Sequence, residues 1–269
     1  MPVLIALLIL AGLALLLAAP NLNHSRMTRW RGQRFAHRGL HDAAQGVVEN
    51  TMPAFEAACR ADYGIELDVQ FTADHQLAVF HDDDLSRLTG DSRAVREVTL
   101  EALRAMPLAG VDSARVPTLG EVLARVNGRV PLLIELKNGR ENAALCRALM
   151  DALRDYPGEY IVESFNPLIV GWFRRNAPAV VRGQLVCGMA GYRGSVSPVP
   201  AFCMAALLFN AVARPDFVAY DVNAPRFVTP RLQRLLFRTP LAAWTVRTLP
   251  QAKLTAERDE ICIFEQIRP

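Results

Sequence analysis

Two apolar runs of this chain carry charges spaced two residues apart, and this pattern constrains the fold most. Glu66-Leu67-Asp68 lies within Ile65–Gln70, and Glu135-Leu136-Lys137 closes the run that begins at Val130. Side chains alternate faces along a strand, so Glu66 shares a face with Asp68 and Glu135 with Lys137. Burying an unpaired charge in an otherwise apolar strand is costly. A salt bridge to one of the many arginines accounts for one such acid, but three need a common purpose.

Strand-like and helix-like segments alternate around these runs. The strands are expected at 34–36, 65–70, 77–80, 130–136, 160–164, 183–186, 217–220, 241–246 and 260–264, and the helices at 52–61, 100–105, 119–126, 141–156, 167–176 and 229–238. Thr51 precedes Pro53 as a helix start, Thr118 and Glu121 form a capping box, and Asn166-Pro167 opens another helix. This alternation implies parallel strands covered by helices. About eight such units suggest a closed α/β barrel, a TIM (β/α)8 barrel, for which 269 residues suffice.

The composition excludes several function classes. At 51% apolar, the chain has ample material for a core, which argues against disorder. A net charge of +3, with no aromatic stripe among the basic residues, gives no case for nucleic acid. All basic residues except Lys137 and Lys253 are arginine, which sets Lys137 apart inside its strand. The five cysteines are widely spaced without a CxxC pair, so they read as buried thiols rather than zinc or redox centres.

Residues 3–19 are uninterrupted apolar sequence, followed by Arg26, Arg29, Arg31 and Arg34. We expect a transmembrane anchor over 1–22, a basic juxtamembrane linker over 23–33 and a barrel domain over 34–269. The arginines on the C-terminal flank place that domain on the cytoplasmic face. A cleaved signal peptide is the rival, weakened by the lack of Lys or Arg before the apolar run. Residues 200–213 lack charge and are expected to form a buried barrel helix, with a membrane-facing patch as the alternative.

Barrel enzymes keep their sites at the C-terminal ends of the strands. Three carboxylates gathered there repel one another unless a cation sits among them, and hard oxygen donors favour Mg²⁺ or Ca²⁺. His37 and His81 are each the first polar residue after an apolar run and each precedes a charged residue, Arg38 or Asp82. Histidine suits proton transfer near neutral pH, and the guanidinium of Arg38 suits phosphate oxygens. His24, His41 and His75 lack such settings and read as surface residues.

Nine blocks, in order, carry a resemblance to a known family. They begin with His37-Arg38-Gly39, Glu49-Asn50-Thr51, Glu66-Leu67-Asp68-Val69, Thr72-x-Asp74 and the stretch from His81-Asp82 to Thr89-Gly90. Val116-Pro117-Thr118-Leu119-x-Glu121, Ile134-Glu135-Leu136-Lys137, Ser164-Phe165-Asn166-Pro167 and Trp244-Thr245-Val246 complete them. From His37 to about Val246 the chain resembles the glycerophosphodiester phosphodiesterases, a family of TIM-barrel hydrolases. The resemblance implies that Glu66, Asp68 and Glu135 hold a divalent cation and that His37 and His81 form the acid–base pair. By the same resemblance Arg38 and Lys137 contact the phosphate, Trp244 walls the glycerol pocket, and Glu49 and Asn50 brace the first loop, with Asn50 also within reach of the metal. The implied substrate is a glycerophosphodiester. A lysophospholipid phosphodiesterase and an inactive membrane-tethered binding protein are the alternatives. Two departures stand out. His75 occupies the usual glycine of a Thr-x-Asp-Gly turn, and Phe264-Glu265-Gln266 stands where a Thr-Asp-x-Pro ending is usual.

Overall fold

A computed structural model describes residues 1–194, 196–224 and 227–269. Eight parallel strands close a barrel: β1 (Arg34–Ala36), β2 (Gly64–Phe71), β4 (Leu132–Leu136), β5 (Tyr160–Ser164), β6 (Arg182–Val186), β7 (Phe217–Asp221), β8 (Leu241–Val246) and β9 (Ile261–Phe264). Each pairs with the next in this order, and β1 pairs with both β2 and β9, which completes the ring. The short β3 (Leu77–Val79) folds back antiparallel on β2.

Helices follow the strands: α2 (Met52–Arg60), α5 (Leu119–Val126), α6 (Asn142–Ala152), α7 (Pro167–Asn176), α8 (Pro198–Ala205), α9 (Asn210–Ala213), α10 (Thr229–Phe237) and α11 (Leu249–Glu257). The excursion after β3 carries α3 (Ser86–Thr89) and α4 (Leu100–Ala105). The capping box at Thr118 is present, with the hydroxyl accepting from Glu121 N at 3.2 Å and Glu121 Oε2 accepting from Thr118 N at 2.8 Å. The sequence reading had no counterpart for α11, because Pro250-Gln251-Ala252-Lys253 breaks the apolar stripe that marks a helix. Thr248 nevertheless caps it by accepting from Gln251 N.

Period-2 alternation sorts each strand between two apolar layers. Ile65, Leu67, Val69, Leu132, Ile134 and Leu136 face outward into the layer under the helices. Phe35, Leu133, Ile161, Leu185, Phe217, Ala219, Ala242, Ile261 and Ile263 fill the barrel interior. Met27 and Trp30 join that interior cluster, 1% and 2% exposed, so the stretch expected as a linker packs into the barrel. Gly183 is required there, since a Cβ would lie 2.2 Å from the Phe217 ring.

Two expectations are corrected. Residues 2–18 form a 17-residue helix, α1 (Pro2–Ala18), and among the described residues no helix is long and apolar enough to cross a membrane. At 1.5 Å per residue α1 is about 25 Å long, short of a hydrocarbon core of roughly 30 Å. Its C-terminal end is fixed to the barrel: Asn210 and Gln233 donate to Ala18 O, and Arg214 donates to Leu16 O and Ala19 O. Residues 200–213 are not one buried helix but parts of α8 and α9, divided at Leu207, whose φ is +59°. Ala201 and Ala205 face inward, whereas Phe202 is exposed.

Candidate active site

The alternation that buries Phe35, Leu133, Ile161 and Ile263 also decides which polar groups reach the barrel mouth. Two residues further along each strand stand His37, Glu135, Glu163 and Glu265, and Glu66 and Asp68 occupy the inward positions of β2. Register places Asp68 beside Glu135, and Glu135 beside Glu163. One carboxylate oxygen from each of Glu66, Asp68 and Glu135 lies within 4.8 Å of the others. All three residues are buried, at 2%, 0% and 7% exposed.

The first loop is built around this cluster. Arg38 N donates to Glu66 Oε2 at 2.8 Å, and Asn50 N donates back to Arg38 O at 2.9 Å. Both Arg38 and Asn50 sit in the left-handed region, with φ of +56° and +53°. Gly39, at φ +80°, leaves no room for a side chain, because a Cβ would meet Ala54 and Phe55 at 2.9 Å. That tight turn brings the Asn50 amide to Asp68, where Nδ2 donates to Oδ2 at 2.8 Å.

Cations balance only part of the charge. Lys137 Nζ donates to Glu135 Oε1 at 2.8 Å and to Asp68 Oδ1 at 3.2 Å. Arg38 Nη1 donates to Glu49 Oε1 at 2.7 Å, and Glu49 also accepts from Arg87. Burial and the neighbouring acids push the Glu66 carboxyl far above its ordinary range and raise Glu135 as well. Burial opposes ionisation of Asp68, yet Lys137, His81, Arg38 and the Asn50 amide together hold its carboxyl below the usual range.

Each histidine is held by a carboxylate at Nδ1. For His37 the partner is Glu265 Oε2 at 3.0 Å, and for His81 it is Asp82 Oδ1 at 2.7 Å. His37 Nε2 lies 4.0 Å from Glu66 Oε2, which ties the imidazole to the acid cluster. Burial lowers the His37 pKa, opposed by the hydrogen bond to Glu265. The Glu265 carboxyl is held down at about 2 by His37, with Arg247 a further cation at 3.2 Å.

Three buried polar atoms around the cluster lack hydrogen-bond partners among the described residues, Arg38 Nε, Asn50 Oδ1 and Glu163 Oε2, although Arg38 Nε lies 3.7 Å from Asp68 Oδ2. Together, three carboxylates and an orphaned amide oxygen form an all-oxygen donor set that fits a hard divalent cation. The unpartnered Arg38 Nε–H suits an anionic oxygen. Trp244 stands across the mouth on β8, its ring edge-on to Phe165 at 5.6 Å. Beside Lys137 opens a cavity of about 240 Å³, lined in part by Phe71, Thr72, Arg96, Asn138 and Arg140.

All ten residues singled out in the sequence line this mouth or its first loop. Sequence reasoning missed Glu265 and Glu163. Glu265 was set aside as a departure from a familiar ending, although the inward alternation of Ile261 and Ile263 predicts its direction. Glu163 follows by the same rule from Ile161. His75, read as a surface residue, adopts the glycine-like φ of +56°, stacks on Phe71 and pairs with Glu141 at 2.9 Å.

Comparison with known proteins agrees with this geometry. Residues 37–264 match the model of the glycerophosphoryl diester phosphodiesterase family. A glycerophosphodiester phosphodiesterase of Caldanaerobacter subterraneus is 33% identical over 196 residues, which is 68% of this chain and 78% of that protein. A Bacillus subtilis relative is 35% identical over 153 residues, 54% of this chain and 62% of its own length. Among solved structures, an Oleispira antarctica phosphodiesterase in complex with the product sn-glycerol-3-phosphate superposes with a TM-score of 0.70 at 18% identity, covering 88% of this chain and 94% of its own. The Thermotoga maritima glycerophosphodiester phosphodiesterase gives 0.61 at 24% identity, covering 86% and 93%. A barrel whose mouth gathers these residues, with a family match across nearly all of it, makes the chain a member of the glycerophosphoryl diester phosphodiesterase family.

Proposed function

We propose that the protein hydrolyses glycerophosphodiesters to sn-glycerol 3-phosphate and an alcohol, with His37 and His81 as the acid–base pair. The observation that carries this reading is the meeting of Glu66, Asp68 and Glu135 within 4.8 Å, beside a histidine fixed at Nδ1 by a carboxylate. The names of the relatives and the product bound to the Oleispira antarctica enzyme support the substrate class.

Glu66, Asp68 and Glu135 would hold Mg²⁺ or Ca²⁺, with Asn50 Oδ1 as a further donor. When bound, such an ion supplies Lewis-acid stabilisation of charge on the phosphoryl oxygens. Arg38, whose Nε makes no hydrogen bond, and Lys137 would stabilise charge on the phosphate oxygens, both cations lying beside Asp68. Nδ1 of each histidine is engaged, which leaves Nε2 for proton transfer. One imidazole takes the proton of the attacking hydroxyl as its oxygen bonds to phosphorus, and the other protonates the departing alkoxide. The substrate's own glycerol hydroxyl is a suitable attacker, giving a cyclic phosphate that water then opens. Trp244 walls the glycerol side, and the cavity beside Lys137 gives room for the leaving alcohol.

A lysophospholipid headgroup is a second substrate class, favoured by the exposed apolar side chains of α1, including Val3, Leu4, Leu7 and Leu8. To test the main reading, the full chain is supplied with glycerophosphocholine or lysophosphatidylcholine, before and after chelation. We expect sn-glycerol 3-phosphate from glycerophosphocholine, abolished by EDTA and restored by Mg²⁺ or Ca²⁺. No turnover of either diester with any added cation would overturn it in favour of a binding protein.

A further inference from the structure

Among the described residues six acids are buried: Glu66, Asp68, Glu135, Glu163, Asp216 and Glu260. Five of them accept from a donor on the protein. Glu66 accepts from Arg38 N, Asp68 from Asn50 and Lys137, and Glu135 from Lys137. Away from the mouth, Asp216 accepts from Arg182 N and Glu260 from Tyr220 Oη. Glu163 is the exception: it is 2% exposed, its Oε2 lacks a partner, and no cation pairs with it among the described residues.

Its place in the barrel makes this notable. Glu163 is in register with Glu135 on one side and Gly183 on the other, with Ile161 at the inward position before it. Gly183 brings no side chain, and the Phe217 ring fills that space. Glu135, Asp68 and Glu66 therefore repel a charge on Glu163, and Lys137 attracts it. Neighbouring strands lie roughly 4.8 Å apart, so Glu163 stands one strand beyond Glu135 and about two strands from Asp68. That is outside the trio whose oxygens meet within 4.8 Å, yet within reach of it through one water.

We propose that Glu163 is a positioning residue for the cation site, its carboxyl holding a water of the bound ion on the β5 side of the barrel. The inference rests on the reading of Glu66, Asp68 and Glu135 as the ion's ligands. Partners of this outer kind are commonly worth 10- to 100-fold in metal affinity, and a polar site with several oxygen acceptors is where an ordered water belongs.

The test is calorimetric titration of the full chain with Ca²⁺ and with Mg²⁺, with no substrate present. Wild type is compared with E163Q, E163D and E135Q, and the melting temperature of each cation-free protein is recorded. We expect E163Q to weaken cation binding about tenfold or more at an unchanged cation-free melting temperature, and E163D to recover part of the loss. Wild-type affinity in E163Q, or in E163D where E163Q does not fold, would overturn the proposal while weak binding by E135Q leaves the three-carboxylate site standing. Wild-type affinity in E135Q would remove the cation site itself, and this inference with it.

Discussion

The two halves of the barrel mouth are built from opposite materials. The half formed by β1, β2 and β4 with their loops carries His37, Arg38, Glu49, Glu66, Asp68, His81, Glu135 and Lys137; hydrogen bonds link Arg38 to Glu49 and Glu66 and Lys137 to Asp68 and Glu135, while Glu265 and Asp82 hold the two histidines. The half formed by β6, β8 and the loop after β6 is apolar: Cys187, Tyr192, Ala201 and Ala205 are buried together, with Phe165 and Trp244 packed against them. One fold presents both, because each strand contributes its inward positions whatever occupies them. The charged half holds unlike groups at high desolvation cost, as active sites do. The apolar half behaves as core that happens to reach the mouth, with Phe165 and Trp244 packed against it.

This contrast can be broken most severely on the charged side. E66Q keeps the oxygen that accepts from Arg38 N but removes one charge from a crowded cluster. We expect kcat/KM to fall on the order of 10³-fold, the loss of several kcal/mol of transition-state stabilisation, with a melting temperature equal to or above wild type. A variant that loses stability in step with activity would show that the cluster is structural. On the apolar side, W244A should act through substrate binding, raising KM about tenfold with kcat changed less. A collapse of kcat at unchanged KM would place Trp244 in the chemistry instead.

E265Q sharpens the comparison, because Glu265 bonds His37 of the charged side yet lies just past the last strand. Loss of the carboxylate that fixes His37 Nδ1 should cost on the order of 10²-fold in kcat, the usual penalty for a misplaced reacting group. Its stability effect has a defined sign. The folded carboxyl titrates at about 2, below its ordinary 4.5. A depressed acid stabilises the fold above the unfolded value, and that contribution is lost as pH falls from 4.5 toward 2. The melting-temperature gap between wild type and E265Q is therefore expected to be present at pH 5 and narrower at pH 3. A constant gap would mean that the His37–Glu265 pair contributes nothing to folding.

The charged half was also the half legible in the sequence. Charges two apart in an apolar run cannot be mistaken for core, so Glu66 with Asp68 and Glu135 with Lys137 announced themselves, as did the histidines that follow β1 and β3. The apolar half was not legible as a site, because Phe165, Cys187 and Tyr192 read as ordinary packing, and only the family resemblance drew attention to Trp244. Glu163 and Glu265 were missed for a different reason. Each is a single acid at a strand end, and only knowing which face is inward separates such an acid from a surface one. The succession of strands and helices was recoverable because alternation and caps are local signals. The length of α1 was not, because a run of seventeen apolar residues lies at the boundary where a single turn decides between spanning and not spanning. The division of residues 200–213 at Leu207 depends on a backbone conformation that no side chain there advertises.

The central claim is that two imidazoles work on one phosphodiester beside the acid cluster. It is tested most directly by following glycerophosphocholine with ³¹P NMR in wild type, H37A and H81A, with cation in excess. We predict that wild type converts the diester to sn-glycerol 3-phosphate, while each variant falls by roughly 10²–10⁴-fold with its melting temperature retained. Near-normal turnover in both folded variants would contradict the account.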